Sequence, residues 1–230
     1  MSNITESAEP VRTVHQSGLS SSRILDLAVA LMGAVVLSPV VVLIALAILI
    51  ETGRPVFFSQ VRLGLNGRHF RIWKFRKFHK DSSPTGLPLT MKNDSRMTRL
   101  GGFLARTKLD ELPQFWNVIK GDMSLVGPRP ETIDFADCFT DTYRSVLDYK
   151  PGIFGPSQTL FRNESGQYLP DSDPIRFYRD VLFPQKALND LSYYPYRTIT
   201  SDIGWIASGV LAIMGWRLLP IKSMGQAGKG

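Results

Sequence analysis

Twenty-four consecutive residues, Leu27 to Ile50, carry no charged side chain, and at ~1.5 Å of rise per residue they would make about 36 Å of helix, enough to cross the hydrocarbon core of a bilayer. Extended back to Ile24, the stretch holds a single charge, Asp26. A cleaved signal peptide fits poorly. The 23 residues before Ile24 are polar and serine-rich, with two arginines against two glutamates, and no small-residue cleavage site follows the apolar core. The segment is therefore expected to remain as an anchor. Ser38-Pro39 interrupts it near the middle, removing one backbone donor and biasing Ser38 out of helical geometry, so a kink is expected there. These residues leave two arrangements open: a kinked spanning helix, since membrane helices tolerate proline, or a re-entrant hairpin that turns back at Ser38-Pro39 with both ends cytoplasmic.

Charge is as segregated as hydropathy. Residues 54–109 hold 13 Lys and Arg against two acids, Asp81 and Asp94, a net of +11, which places this flank on the cytoplasmic side by the positive-inside rule. The N-terminal flank has little bias. The whole-chain net of +7 dilutes the contrast, while 43% hydrophobic residues and a mean hydropathy of -0.03 exclude a disordered basic tail protein. A length of 230 residues fits one domain with appendages. Cys138 is the only cysteine and His15, His69 and His79 are scattered, so neither an intramolecular disulfide nor a Cys-based zinc site is expected, and a reducing compartment is.

Beyond the anchor the pattern is mixed. Residues 55–60 and 69–75 read as short strands around Leu65-Asn66-Gly67-Arg68, whose Asn-Gly suits positive φ. Residues 81–94 are loop-like. Helical spacing returns from Leu100, with Leu109, Leu112, Trp116 and Ile119 on one face. A helix starting near Leu112 or Pro113 would place Asp110 and Glu111 at its amino end, where free N–H groups favour negative charge. The C-terminal third is apolar in patches: Phe177 to Lys186, Tyr193 to Tyr196, and Ile203 to Leu219. The last spans 17 residues with one charge, Arg217, and has Trp205 and Trp216 near its ends. It reads as an interfacial helix, with a buried core helix as the alternative. No internal repeat is evident, and the tail from Ser223 is expected to fray.

A basic surface beside an anchor calls for an anionic partner: lipid headgroups, nucleic acid or a phosphorylated substrate. The basic residues lie among aromatics in strand-like segments, as in residues 69–76, so they read as part of a folded surface rather than a disordered lipid-binding run. The first acids after them are Asp110 and Glu111. Adjacent carboxylates in a basic setting can hold Mg²⁺ against a diphosphate while one of them attacks phosphorus; taken alone, the dipeptide also fits an exposed pair at a helix start. Gly127-Pro128-Arg129-Pro130 stiffens the backbone on both sides of Arg129 and presets a guanidinium fork for a phosphate oxygen, although a rigid turn with a solvated arginine fits the four residues equally. Lys150-Pro151-Gly152-Ile153 is a second rigid segment. Walker-type, dinucleotide-binding and zinc-protease motifs are absent.

The run Thr98-Arg99-Leu100-Gly101 through Leu109-Asp110-Glu111-Leu112-Pro113-Gln114-Phe115-Trp116-Asn117 to Gly127-Pro128-Arg129-Pro130-Glu131 resembles the signature of the bacterial sugar transferase family, the monotopic polyprenol-phosphate phosphoglycosyl transferases. Ser38-Pro39, residues 58–64, Lys74-Phe75-Arg76 and Lys150-Pro151-Gly152-Ile153 match further landmarks in order, so the resemblance covers roughly residues 23–205. It implies an α+β monotopic membrane protein of minimal form, without an N-terminal membrane-helix extension. The expected parts are a polar tail (1–22), a re-entrant helix broken at Ser38 and Pro39 (23–51), a cytoplasmic and interfacial catalytic domain (52–222) and a flexible tail (223–230). It further implies transfer of a sugar 1-phosphate from a nucleotide diphosphate-sugar, usually UDP-linked, to membrane polyprenol phosphate at the cytoplasmic face of a bacterial inner membrane, as the initiating step of surface glycan assembly. By the same resemblance Asp110 is the nucleophile and Glu111 assists with Mg²⁺ or as a base. Lys74, Arg76, Arg99 and Arg129 hold phosphates, and Asp202 completes the metal site. The partners expected are the nucleotide-sugar, polyprenol phosphate and the bilayer, with no nucleic acid, and a homodimer is allowed.

Several positions depart from the family pattern. Ala105 stands where the family usually has Arg, Ser95 where it has Pro, and Lys77 where it has a small hydroxyl. After Ile153 the usual Thr-Gly is replaced by Phe154-Gly155-Pro156-Ser157-Gln158, so sugar specificity is not carried over. Two rivals stand beside the expected transferase: a membrane-docked scaffold using its basic surface only for anionic lipid, and a direct-displacement transferase with no covalent intermediate.

Overall fold

The computed structural model describes residues 21–80, 82, 88–91, 93–168 and 173–213. Residues 1–20 of the expected 1–22 tail, the expected 223–230 tail, residues 81, 83–87 and 92 of the expected 81–94 loop and the end of the last apolar run, including Trp216 and Arg217, lie outside the described residues.

Two apolar helices open the structure, α1 (Ser21–Val36) and α2 (Ser38–Thr52), bent by 57° at the break between them. The cause is local. Pro39 occupies the first turn of α2, where its missing N–H costs least. The Ser38 hydroxyl donates to Val35 O at 2.8 Å, satisfying a carbonyl that the broken ladder leaves open. No single described helix is long and apolar enough to cross a membrane, but the bent pair passes that test together.

The pair is built into the domain rather than tethered to it. Asp26, buried on α1, accepts from Ser124 Oγ and from the Leu125 amide, each at 2.8 Å. Arg23 donates to Val118 O and Ile119 O. Ala30 packs with Ile72, Val118, Met123 and Leu125, while Ile44 and Ile48 of α2 pack with Phe75 and Leu104. The other faces are bare: Leu31, Met32, Val35, Val36, Val42, Leu43, Leu46 and Ile50 are all exposed.

The expected hairpin forms as β1 (Phe57–Leu63) and β2 (His69–Phe75), antiparallel with Phe57 opposite Phe75 and Leu63 opposite His69. Its turn places Asn66 at φ 54° and Gly67 at φ 73°, the positive values that Asn-Gly accepts cheaply. The first strand begins two residues later and runs longer than the sequence suggests. The free edge of β2 is covered by one side chain: Asn117 accepts from the Trp73 amide and donates to Arg71 O, standing in for a third strand.

Next comes α3 (Arg99–Thr107), capped by the Thr98 side chain on the Gly101 amide, as this residue type does at helix starts. Lys108 ends it in the left-handed region at φ 60°. A 3₁₀ turn, Leu109–Glu111, follows, then α4 (Gln114–Lys120) with Pro113 at its amino end, so the two acids sit just ahead of a helix as expected. Strand β3 (Ser124–Val126) pairs in parallel with β4 (Gly152–Phe154). Beyond β4 come α5 (Pro156–Leu160), α6 (Pro174–Phe177), a π-helical turn (Tyr178–Leu182), α7 (Phe183–Tyr193) and α8 (Ile199–Ile213). The architecture is mixed helix and sheet. Helix α8 buries Trp205 and Ser208 while exposing Ile203 and Val210, so it combines the two expected alternatives: one face is core, the other is available to an interface.

Candidate active site

Three segments converge on Glu111. Lys74 arrives from β2, where it faces Phe58 across the hairpin, and its Nζ donates to Glu111 Oε1 at 2.8 Å. Arg129 arrives from the turn after β3, and its Nη2 reaches the same oxygen at 3.2 Å. Glu111 itself is supplied by the 3₁₀ turn between α3 and α4.

The Arg129 turn is locked from both sides. Gln158 donates to Gly127 O at 2.7 Å, the Gly152 amide to Pro128 O at 2.9 Å, and Arg62 to Pro130 O at 3.0 Å. A Cβ at Gly127 would collide with the carbonyl oxygen of Lys150, so this glycine is required for close approach rather than for an unusual φ. The rigid 150–153 segment therefore acts through its backbone. The Lys150 ammonium lies in the field of Arg23, Asp26 and Asp122, on the anchor side.

Electrostatics follow from burial and pairing. Removal from water pushes the Lys74 ammonium down to about 8, with Glu111 opposing the shift. Burial alone would raise the Glu111 carboxyl, but Lys74, Arg129 and Lys108 outweigh it and hold Glu111 well below the usual carboxylate range, so it is ionised at neutral pH. Arg129 is held more firmly protonated than an ordinary arginine, chiefly by Glu111. Lys108 and Arg162 are pushed down by burial, and Glu111 opposes both shifts, so both cations face the same carboxylate.

Asp110 differs from every other acid here. It is 3% exposed, and its Oδ1 is buried without a hydrogen-bond partner, alone in that respect among carboxylate oxygens of the described residues. A buried acceptor left open is costly. It lies beside a carboxylate clamped by two cations.

Not every expected residue joins this cluster. Arg76 is buried, but its guanidinium donates to Thr52 O at 3.1 Å, Thr52 Oγ1 at 2.5 Å and Gly53 O at 2.7 Å, closing the carboxyl end of α2. That guanidinium caps α2, because free carbonyls at a helix end attract a cation, and no contact among the described residues ties it to Glu111. Arg99 is exposed at the start of α3, and no contact ties it to Glu111. Asp202 is buried in the first turn of α8, where Arg197 donates to Oδ2 at 2.6 Å and Tyr193 to Oδ1 at 2.9 Å. With both oxygens engaged, it is not gathered with Asp110 and Glu111: no group of three metal-ligating side chains exists among the described residues. The two-carboxylate remainder still suits Mg²⁺, which binds through one or two carboxylates plus substrate phosphates; the open Oδ1 of Asp110 supports that fit.

Sequence reasoning passed over Lys108, Arg162 and Arg62. Lys108 had one usable signal, its place two residues before Asp110; Arg62 lay within the 58–64 landmark, and Arg162 had none beyond its charge.

A family model described as bacterial sugar transferase matches residues 18–215. Among curated relatives, the galactosyl transferase CpsE of Streptococcus agalactiae serotype III is 40% identical over 158 residues, covering 64% of this chain and 35% of that protein. The UDP-N-acetylgalactosamine-undecaprenyl-phosphate N-acetylgalactosaminephosphotransferase of Aeromonas hydrophila is 38% identical over 157 residues, 66% of this chain and 36% of that protein. The UDP-glucose:undecaprenyl-phosphate glucose-1-phosphate transferase of Escherichia coli K12 is 39% identical over 140 residues, 58% of this chain and 29% of that protein. The match thus spans about a third of the length of these three relatives, which are named for three different sugars.

Proposed function

The chain belongs to the bacterial sugar transferase family, and from that premise we propose that it moves a sugar 1-phosphate from a nucleotide diphosphate-sugar, UDP-linked, to polyprenol phosphate through a covalent intermediate on Asp110. The observation that carries the proposal is the unpartnered, buried Oδ1 of Asp110 next to a Glu111 held by Lys74 and Arg129.

The steps balance. An Asp110 carboxylate oxygen attacks the phosphorus that bears the sugar; an acyl phosphate bond forms, the diphosphate P–O bond breaks, and its electron pair leaves on the nucleoside monophosphate. An oxygen of polyprenol phosphate then attacks the same phosphorus, releasing the Asp110 carboxylate and giving a polyprenol diphosphate-sugar. Lys74 and Arg129 bind phosphate oxygens and offset the repulsion between an anionic nucleophile and an anionic substrate. Lys108 and Arg162 add positive charge on the same side. Glu111 orients both clamping cations. Mg²⁺, held by Asp110 and Glu111 together with the diphosphate, would supply Lewis-acid neutralisation of the leaving group.

The bare faces of α1 and α2 suit lipid, and the bent pair serves as a re-entrant anchor that enters and leaves from the cytoplasmic leaflet. This seats the site where a soluble nucleotide-sugar and a lipid-borne phosphate meet. A tag at Ser2 should then be inaccessible from the outer side; labelling there would restore a spanning arrangement.

The central test is to incubate the protein with UDP-sugars and Mg²⁺ in the absence of acceptor. A mass increase equal to one phosphosugar, mapped to Asp110, is expected. Turnover with acceptor but no adduct, together with sequential rather than ping-pong kinetics, would replace the covalent route with direct displacement. Lipid binding without monophosphate release would favour the scaffold.

A further inference from the structure

Behind Arg129 lies a second ionic cluster that the transfer steps do not use. Lys186, on α7 and 5% exposed, directs its ammonium at Glu131 Oε1 and Glu164 Oε2, each at 3.2 Å, and at the Tyr178 hydroxyl at 2.8 Å. The Tyr178 hydroxyl also favours the charged Glu131 carboxylate, and its ring lies 4.7 Å from the ammonium. Burial alone would raise the Glu131 carboxyl; Lys186, this hydroxyl and Arg62 outweigh burial and hold it below its ordinary range.

Both carboxylates also act on Arg129. After Glu111, they are the anions that most strongly hold its proton, Glu164 ahead of Glu131. The Arg129 guanidinium thus lies in the field of three carboxylates, and among the described residues Glu111 is the one that bonds to it. The other two are occupied by Lys186. Without that ammonium they would turn to the cations left nearby, Arg129 and Arg62, which share the field of Glu131. Donors needed for a substrate phosphate would be consumed, and the local charge would become one unit more negative where an anion must bind.

We propose that Lys186 is a positioning residue for the transfer reaction: by engaging Glu131 and Glu164 it keeps the Arg129 guanidinium available to the phosphates of the nucleotide-sugar. The proposal rests on the phosphoglycosyl transfer assigned above, and it concerns binding rather than bond breaking.

The test is a charge-count series, with monophosphate release assayed from UDP-glucose, UDP-galactose and UDP-N-acetylgalactosamine in the presence of polyprenol phosphate. Lys186, Glu131 and Glu164 together carry a charge of −1 in the wild type; Lys186→Met makes it −2, Lys186→Met with Glu164→Gln returns it to −1, and Lys186→Met with Glu131→Gln and Glu164→Gln makes it 0. The Michaelis constant for the nucleotide-sugar should follow that charge by roughly tenfold per unit, the order expected when one charge-assisted hydrogen bond is lost: raised in Lys186→Met, near wild type in the double variant and lower again in the triple, while kcat stays within about threefold. Lys186→Arg should remain near wild type. A lysine that only supports the core would give a series ordered by melting temperature, with the Michaelis constant flat or unrescued by the amides, and either result overturns the proposal. If Lys186→Met does not fold, the double and triple variants carry the same contrast. A wild-type protein releasing no monophosphate from any of the three sugars would overturn the transfer assignment itself, a failure distinct from a flat series in an active enzyme.

Discussion

Asp110 and Asp202 are both aspartates next to a helix start, both nearly inaccessible, and both expected to bind metal, yet the structure treats them oppositely. Asp202 has a donor on each oxygen, from Arg197 and Tyr193. Asp110 has an oxygen with none. The arginines differ instead in what they bond: Arg76 donates to carbonyls at the end of α2 while its Nε stays buried without a partner, whereas Arg129 bonds a carboxylate, Glu111. Burial alone does not distinguish a support from a reactive group. What separates the two aspartates is whether hydrogen-bonding capacity has been used up, because an open buried acceptor persists only when the surrounding fold carries its cost.

The contrast can be broken most sharply at the aspartates. Asp110→Asn should lower kcat by about 10⁴-fold or more, as expected when a covalent nucleophile is lost, with the unfolding midpoint in urea close to wild type or higher. Substantial turnover by this variant would remove Asp110 from its role.

At the arginines, Arg129→Lys should raise the Michaelis constant for a UDP-sugar by about 10- to 100-fold, since a point charge replaces a planar fork. Arg76→Met should leave that constant alone and instead cost about 1–3 kcal/mol of stability through the uncapped α2 carbonyls. Steady-state kinetics and urea titration on the same preparations separate the two; an altered Michaelis constant in Arg76→Met would return it to the phosphate site.

Asp202→Asn is expected to keep kcat within about twofold while losing about 1–3 kcal/mol, because one donor on Arg197 or Tyr193 is left mismatched. Its dependence on Mg²⁺ concentration should match wild type, and a weakened Mg²⁺ response would place it back among the metal ligands.

The smallest expected effect is a pH limb. Lys74 is cationic below about 8 and neutral above it, while Glu111 stays ionised throughout. Attraction for substrate phosphate is thus present below this value and is lost as pH rises through it, by about tenfold for the first unit above. Lys74→Arg should move the limb beyond the accessible range; an unchanged profile would assign it to another group.

Much of this was legible beforehand because it is local. A proline after a serine in an apolar run bends the helix wherever it sits, Asn-Gly closes a hairpin, and an acid pair before Leu112-Pro113 lies ahead of a helix. Arg76 stands apart from Lys74 for a reason that is also physical. On a strand Lys74 and Arg76 would share a face, but β2 ends at Phe75, and past the last strand residue the alternation no longer applies. Lys108 was passed over because a left-handed residue that is not glycine leaves no mark in propensity. Lys186 was passed over because Glu131, its partner, stands 55 positions away.

The sequence by itself determined the apolar helix pair, its bend, the basic flank and the acid pair, since each depends on hydropathy, charge or backbone preference over a few neighbouring residues. Only the tertiary structure decided which of the charged groups are available. Availability depends on whether another segment brings a partner within about 3 Å. That partner can come from anywhere along the chain, and no local pattern specifies it.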